Sequence, residues 1–238
     1  MKKINVFCFP FAGGSRYSYN GIASLVSPSL NLVPFEYPGR GLRILEPLQS
    51  NMDKIVDDLF DKISEYPLDH PYIIYGHSMG TIVGYLITKK IEKKGLPLPR
   101  ALFFSGASGP SARSRMPIRH NLPRAEFIRS LRELGGSPDE ILNDPEVMNF
   151  YEPILRADFE AIEKYEYETT MPFDIPIYVI TGADEDVTVE QACSWRIETS
   201  SDFEQVQFSG THFFIFEHER ELLSYIENKL NKICQIIT

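Results

Sequence analysis

Ser78 stands at the centre of Gly76-His77-Ser78-Met79-Gly80, directly after the apolar run Pro71-Tyr72-Ile73-Ile74-Tyr75 and at the start of an amphipathic stretch. A strand that turns sharply into a helix at G-x-S-x-G lifts the middle serine into the open, and the glycines let the two elements cross closely. Ser78 is therefore a candidate nucleophile. Small residues around a serine also occur in ordinary strand-to-helix turns, so the reading depends on the partners. A serine hydroxyl attacks poorly until a base takes its proton, and that base needs a carboxylate to fix its tautomer and stabilise the imidazolium.

The chain has five histidines. His77 lies inside the turn and is expected to point away from the serine's face, while His70, His120 and His218 sit in polar, loop-like or helical settings. His212, in Ser209-Gly-Thr-His-Phe-Phe214 just after the last expected strand, occupies the loop from which an α/β hydrolase delivers its base. The chain order in that fold is serine, acid, histidine, so the acid belongs between Ser78 and His212. The expected strand Ile177 to Thr181 ends in Gly182-Ala-Asp-Glu-Asp-Val187, which offers Asp184, Glu185 and Asp186. Counting from Gly182 favours Glu185, but order and loop leave all three open. The carboxylates not used are solvated loop charges.

Ester chemistry also needs N–H donors for an oxyanion, one from the residue after the nucleophile and one from the loop after the first core strand. Met79 supplies the first. Pro10-Phe-Ala-Gly-Gly14 suits the second, which is assigned to Ala12 with Phe11 as the neighbour that could displace it. A phosphate-binding reading of Gly13-Gly14-Ser15 is weak, because neither a G-x-G-x-x-G fingerprint nor a Walker lysine is present.

These groups require a sheet and helices to hold them. Short apolar runs bounded by Pro or Gly alternate with longer periodic stretches, the pattern of a mostly parallel sheet flanked by helices. Strands are expected at Ile4 to Phe9, Leu32 to Glu36, Tyr72 to Tyr75, Ala101 to Ser105, Ile177 to Thr181 and Phe203 to Phe208. Helices are expected at Met52 to Tyr66, Met79 to Lys94 and, closing the chain, Glu217 to Ile233. The alternation breaks from Gly106 to Asp174, where helix-start signals at Pro123 and Ser137-Pro-Asp-Glu140 precede a long pattern from Pro145 to Tyr165. The expectation is one domain, 1–238, with a helical lid insertion at approximately 107–174 over the carboxyl edge of the sheet. A purely packing subdomain fits that pattern equally well.

With 238 residues and 43% hydrophobic content the chain can bury a sizeable core. A net charge of -9 argues against general binding to nucleic acid or anionic membrane. Cys8, Cys193 and Cys234 suit neither a disulfide framework nor a metal knuckle, and read as buried or idle thiols in a reducing cytoplasm. The short apolar start meets Pro10 too soon for a signal peptide, and no run approaches a membrane span.

Phe9-Pro-Phe-Ala-Gly-Gly14, Pro38-Gly-Arg-Gly41, Gly76-His-Ser-Met-Gly80, Leu134-Gly-Gly136, Leu155-Arg-Ala-Asp-Phe159 and Gly210-Thr-His-Phe213 together resemble the type II thioesterases associated with nonribosomal peptide and polyketide synthetases. The resemblance runs nearly the whole chain in the family's order. It implies a stand-alone α/β hydrolase that removes stalled or wrongly loaded acyl groups from the phosphopantetheine arm of carrier proteins, with the helical insertion shaping the acyl chamber. It also favours Asp184 as the acid, through Asp184-x-x-Val-Thr188 with Trp195 further on, although the crowded Asp184-Glu185-Asp186 departs from the family here. The catalytic set expected is Ser78, Asp184 and His212, with Ala12 and Met79 as oxyanion donors, no metal, no cofactor of its own, a cytoplasmic location and a monomer.

Carrier proteins are commonly acidic, as is this chain, so docking needs a local basic patch. Arg113, Arg115, Arg119 and Arg124 concentrate at the expected lid entrance and are read as that patch, or as a solvated loop. Arg156 and Asp158 are read as a structural ion pair or lid hinge rather than as catalytic groups. Phe213, Phe214 and Phe216 are read as core beside the histidine loop rather than as an acyl-binding wall.

Overall fold

A computed structural model describes residues 3–112, 118–137 and 139–236. Six strands form one sheet in the order β2-β1-β3-β4-β5-β6: β1 Ile4–Phe9, β2 Leu30–Pro34, β3 Tyr72–His77, β4 Leu102–Ser105, β5 Ile177–Gly182 and β6 Phe203–Phe208. Every pairing is parallel. Helices are α1 Asn20–Leu25, α2 Met52–Ile63, α3 Met79–Lys93, α4 Arg124–Leu134, α5 Asp139–Leu142, α6 Pro145–Glu163, α7 Val189–Cys193, α8 Phe214–Glu217 and α9 Glu219–Ile236.

Alternating side chains divide the core. Phe7 and Phe9 of β1 and Tyr72 and Ile74 of β3 face α2 and α3, whose Ile55, Leu59, Ile82 and Val83 complete that layer. Val6, Cys8, Ile73 and Tyr75 point the opposite way, against Ile22 of α1 and Leu222, Leu223 and Ile226 of α9. Burial pushes the Cys8 thiol pKa up, so it packs as a small apolar group. Cys193 is a free, exposed thiol.

Element boundaries differ from expectation where local chemistry intervenes. β2 begins earlier, with Leu30 opposite Ile4, and its ladder closes at Pro34 opposite Cys8. Phe35 adds one more bond to Cys8 O at 2.9 Å, after which Glu36 turns inward and accepts from the Arg16 N–H. The closing helix starts at Glu219 rather than Glu217, because His218 adopts φ −119° and ψ 34°, outside helical space, and the short α8 before it was not expected.

Between β4 and β5 the described residues form α4, α5 and α6 and contain no strand. These helices bury a cluster of their own, Phe127, Leu131, Leu142, Met148, Leu155 and Phe159, against which Ala12 and Tyr151 pack. Asp144 caps α6 by accepting from the Glu146 and Val147 N–H groups, and Pro145 takes the first helical position. Trp195, fully buried, packs its ring at 4.5 Å, tilted by 37°, against Phe104 and donates to Ala107 O at 3.1 Å, which pins the chain where it leaves the sheet. No described helix is long and apolar enough to cross a membrane.

Candidate active site

Ser78 is the one residue of the turn between β3 and α3. Its backbone holds φ 55° and ψ −114°, making it the sole non-glycine residue with positive φ among those described. Such a conformation costs on the order of 1–3 kcal/mol and persists only where its surroundings enforce it. The glycines on either side are sterically required. A Cβ on Gly76 would lie 2.2 Å from Gly80 O, and one on Gly80 would lie 1.9 Å from Phe9 O. The Ser78 N–H donates to Ser105 O at 2.8 Å, tying the turn to β4.

Ser78 and His212 line the same cavity, of about 370 Å³, together with Phe11, Ala12, Asp184, Glu185 and Asp186. Within it, His212 Nδ1 meets Glu185 Oε2 at 2.8 Å. The Glu185 carboxylate is 1% exposed, and its other oxygen accepts from the Gly182 N–H at 2.7 Å. Asp184, favoured by the resemblance, does not make this contact. Its N–H donates to Gly210 O at 3.0 Å, and the residue is exposed, as is Asp186. The turn after β5 thus leaves the middle carboxylate pointing inward, and the longer glutamate side chain spans the gap to the imidazole.

His77 is fully buried, with Nδ1 at 2.9 Å from Ser105 Oγ, which itself lies 2.8 Å from the Tyr75 hydroxyl. Burial, reinforced by the neighbouring His212, holds its pKa well below the usual histidine range. A neutral ring 5.0 Å from that of His212 therefore underlies the base loop. Phe213 lines the cavity while Phe214 and Ile215 are buried in the core, so the aromatic cluster serves both environments.

Met79, the first residue of α3, presents an N–H that has no acceptor within its own helix. Phe11 and Ala12 both border the cavity, and among the described residues neither N–H takes a protein acceptor. Leu134, Phe159 and Ile162 from α4 and α6 supply apolar wall, and Arg119 and Glu133 supply charge. Of the other arginines in the expected basic patch, Arg113 and Arg115 lie outside the described residues. Arg124 is engaged by Glu152 at 3.3 Å and Asn149 at 2.7 Å. Arg156 pairs with Glu152 and donates to His120 O, whereas Asp158 pairs with Arg40, 118 positions away. No group of three or more His, Cys, Asp or Glu among the described residues is arranged to hold a metal ion.

A second serine–histidine–carboxylate chain occurs at the surface. Ser209 Oγ lies 2.9 Å from His218 Nε2, and His218 Nδ1 lies 3.0 Å from Glu221 Oε2. Ser209 is exposed and Glu221 is 65% exposed, in contrast to the 1% at Glu185. The contact ties the His212 loop to the start of α9.

Residues 4–230 match the thioesterase domain family. The gramicidin S biosynthesis protein GrsT of Aneurinibacillus migulanus is 31% identical over 232 residues, covering 97% of this chain and 90% of the relative. The crystal structure of ClbQ from the colibactin nonribosomal peptide/polyketide pathway is 29% identical, with a TM-score of 0.93 over 100% of both chains. YbtT, a type II thioesterase from the yersiniabactin pathway, is 25% identical, with a TM-score of 0.88 over 98% of this chain and 94% of its own. With a parallel sheet flanked by helices and a serine at the turn after β3, this chain belongs to the thioesterase domain family and has the α/β-hydrolase fold.

Proposed function

We propose that this protein is a type II thioesterase that hydrolyses acyl groups from the phosphopantetheine arm of carrier proteins in nonribosomal peptide or polyketide synthesis, using Ser78, His212 and Glu185. The observation that carries the proposal is the buried Glu185 carboxylate on His212 Nδ1, in one cavity with a serine held at a strained turn. The Glu185 contact fixes the tautomer that leaves Nε2 free to accept a proton.

In the first half-reaction Ser78 Oγ attacks the thioester carbonyl carbon and passes its proton to His212 Nε2. The N–H groups of Met79 and Ala12 receive the developing oxyanion. The C–S bond breaks, and the pantetheine sulfur leaves as a thiol with the proton from His212. Water then attacks the acyl-serine, giving its proton to His212, and the carboxylic acid departs as Ser78 regains its hydrogen. The pantetheine is part of the partner carrier, so the enzyme needs no cofactor of its own.

The helices between β4 and β5 act in this reading as the lid, with Leu134, Phe159 and Ile162 forming the acyl chamber. The synthetase associations in the names of ClbQ and YbtT support the carrier-protein substrate. A cytoplasmic monomer is the form proposed, beside carriers and with Cys8 and Cys193 free. The test is intact-protein mass spectrometry of an acyl-phosphopantetheinyl carrier incubated with the enzyme. Acyl loss that disappears in Ser78→Ala supports the reading. Cleavage of simple oxygen esters without loss from any acyl carrier would instead indicate a carboxylester hydrolase, and transfer to an added alcohol or amine would indicate an acyltransferase.

A further inference from the structure

The loop from Phe9 to Gly14 is held on both sides of the N–H groups of Phe11 and Ala12, which themselves take no acceptor among the described residues. Tyr19 donates to Phe9 O and Tyr37 to Pro10 O, each at 2.7 Å. The Gly14 N–H closes onto Phe11 O at 2.9 Å. The Gly13 N–H donates to Asp158 Oδ2 at 2.7 Å, the Tyr151 hydroxyl donates to Gly13 O at 2.6 Å, and Arg40 Nη1 reaches Gly14 O at 3.3 Å. Asp158 and Tyr151 both belong to α6, the long helix over the cavity. Gly13 holds φ +78°, and a Cβ there would fall 2.4 Å from Leu155 Cδ2, so α6 rests directly on the loop.

Arg40 grips Asp158 with both terminal nitrogens, at 2.5 and 2.6 Å, and the two residues are 4% and 0% exposed. Burial disfavours the Arg40 charge, but the Asp158 carboxylate more than offsets this and keeps the guanidinium protonated. Burial likewise raises the Tyr151 pKa and keeps its hydroxyl a donor. A buried ion pair is weak evidence of net stability, since an apolar pair of similar volume often serves as well. What apolar residues could not supply is an acceptor for the Gly13 N–H, the residue next to Ala12.

We propose that Asp158, Arg40 and Tyr151 are positioning residues for the oxyanion loop: the α6 helix fixes Gly13 so that the neighbouring N–H faces Ser78, and the oxyanion site is complete only while α6 is seated. The inference rests on the catalytic reading of Ser78 above. It makes the helical insertion part of the catalytic machinery. Any opening of this end of the insertion must first break the buried Arg40–Asp158 pair and so disassemble the oxyanion site.

The test compares the Arg40→Met/Asp158→Leu double variant and Tyr151→Phe with wild type on a small acyl thioester lacking any carrier, with Ser78→Ala as control. Losing one oxyanion donor outright costs roughly 10²- to 10³-fold in kcat, so a misplaced donor should cost about 10- to 100-fold in the double variant and about 3- to 10-fold in Tyr151→Phe. KM should stay within about threefold, and the pH profile should keep its shape because His212 and Glu185 are untouched. The double variant should fold and melt about 2–10 °C below wild type, because Asp158→Leu leaves the Gly13 N–H without its acceptor. Wild-type kcat in a folded double variant would overturn the proposal and leave the pair purely structural. If the double variant does not fold, Tyr151→Phe decides alone, and wild-type kcat there overturns the proposal. Activity surviving in Ser78→Ala would instead refute the catalytic reading itself.

Discussion

Replacing Glu185 with Gln removes one charge and almost no volume, so its effect isolates what that carboxylate does for His212. During attack by Ser78 the imidazole becomes an imidazolium, with its Nδ1 2.8 Å from Glu185 Oε2 and the carboxylate 1% exposed. Unit charges centred about 4 Å apart at an effective dielectric of about 20 interact by about 4 kcal/mol. Losing that stabilisation only in the transition state lowers kcat by about 10³-fold. Glutamine can still accept from the Gly182 N–H, so folding should change little. Asp184→Ala and Asp186→Ala remove exposed charges and should each change kcat by less than about threefold. The assay is steady-state hydrolysis of a small acyl thioester, read by thiol release, with thermal melts beside it. A Glu185→Gln variant that retains more than about a tenth of wild-type kcat, or an Asp184→Ala variant that loses as much as Glu185→Gln does, would rule out Glu185 as the partner of His212.

Other predictions follow from backbone geometry and buried charge. Gly80→Ala sets a Cβ 1.9 Å from a backbone oxygen and should lower stability by about 3 kcal/mol or more; a urea midpoint near wild type would contradict the close crossing of β1 and α3. At Ser78, with φ 55°, glycine should be more stable than alanine by about 1 kcal/mol, seen as a melting point about 2–4 °C higher, although both variants are inactive. Equal melting points would mean that the turn carries no strain. His77 is held neutral by burial, so its folded pKa lies below its unfolded value of about 6.5. Below that pH the unfolded chain binds the extra proton, and stability falls as pH drops, by up to about 1.4 kcal/mol per pH unit. His77→Gln should flatten that slope in urea titrations between pH 7 and 5, and an unchanged slope would assign it to other groups.

The elbow was legible in the sequence because its determinants are local: an apolar strand, two glycines with no room for a Cβ, and an amphipathic helix. The placement of His212 followed from the same logic of strand, glycine and loop. The carboxylate was not, because Asp184, Glu185 and Asp186 share their chemistry and differ only in direction. That direction is set by the Asp184 N–H bonding to Gly210 O and by Glu185 folding back onto the Gly182 N–H, contacts formed only once β5 and β6 are paired. Counting from Gly182 pointed to the residue that touches His212, while the resemblance pointed to its neighbour. Arg40 and Asp158 each lay in a segment that resembled the family, but nothing local joins residues 118 positions apart, and Arg156 offered a nearer partner on paper. The short helix Phe214–Glu217 was hidden because Phe213, Phe214 and Phe216 read as core beside the histidine loop rather than as a helical turn. Arg124 stood out as part of a basic patch, yet Glu152 and Asn149 already engage it.

Hydrolysis by this route passes every acyl group through Ser78. The most direct measurement is rapid mixing of the enzyme with an acyl-phosphopantetheinyl carrier, acid quenching, and peptide mapping by mass spectrometry. A transient acyl adduct is expected on the peptide containing Ser78, accumulating when deacylation is slowed and absent in Ser78→Ala. An adduct on the peptide containing Ser209, or turnover of the carrier that persists in Ser78→Ala, would contradict this route.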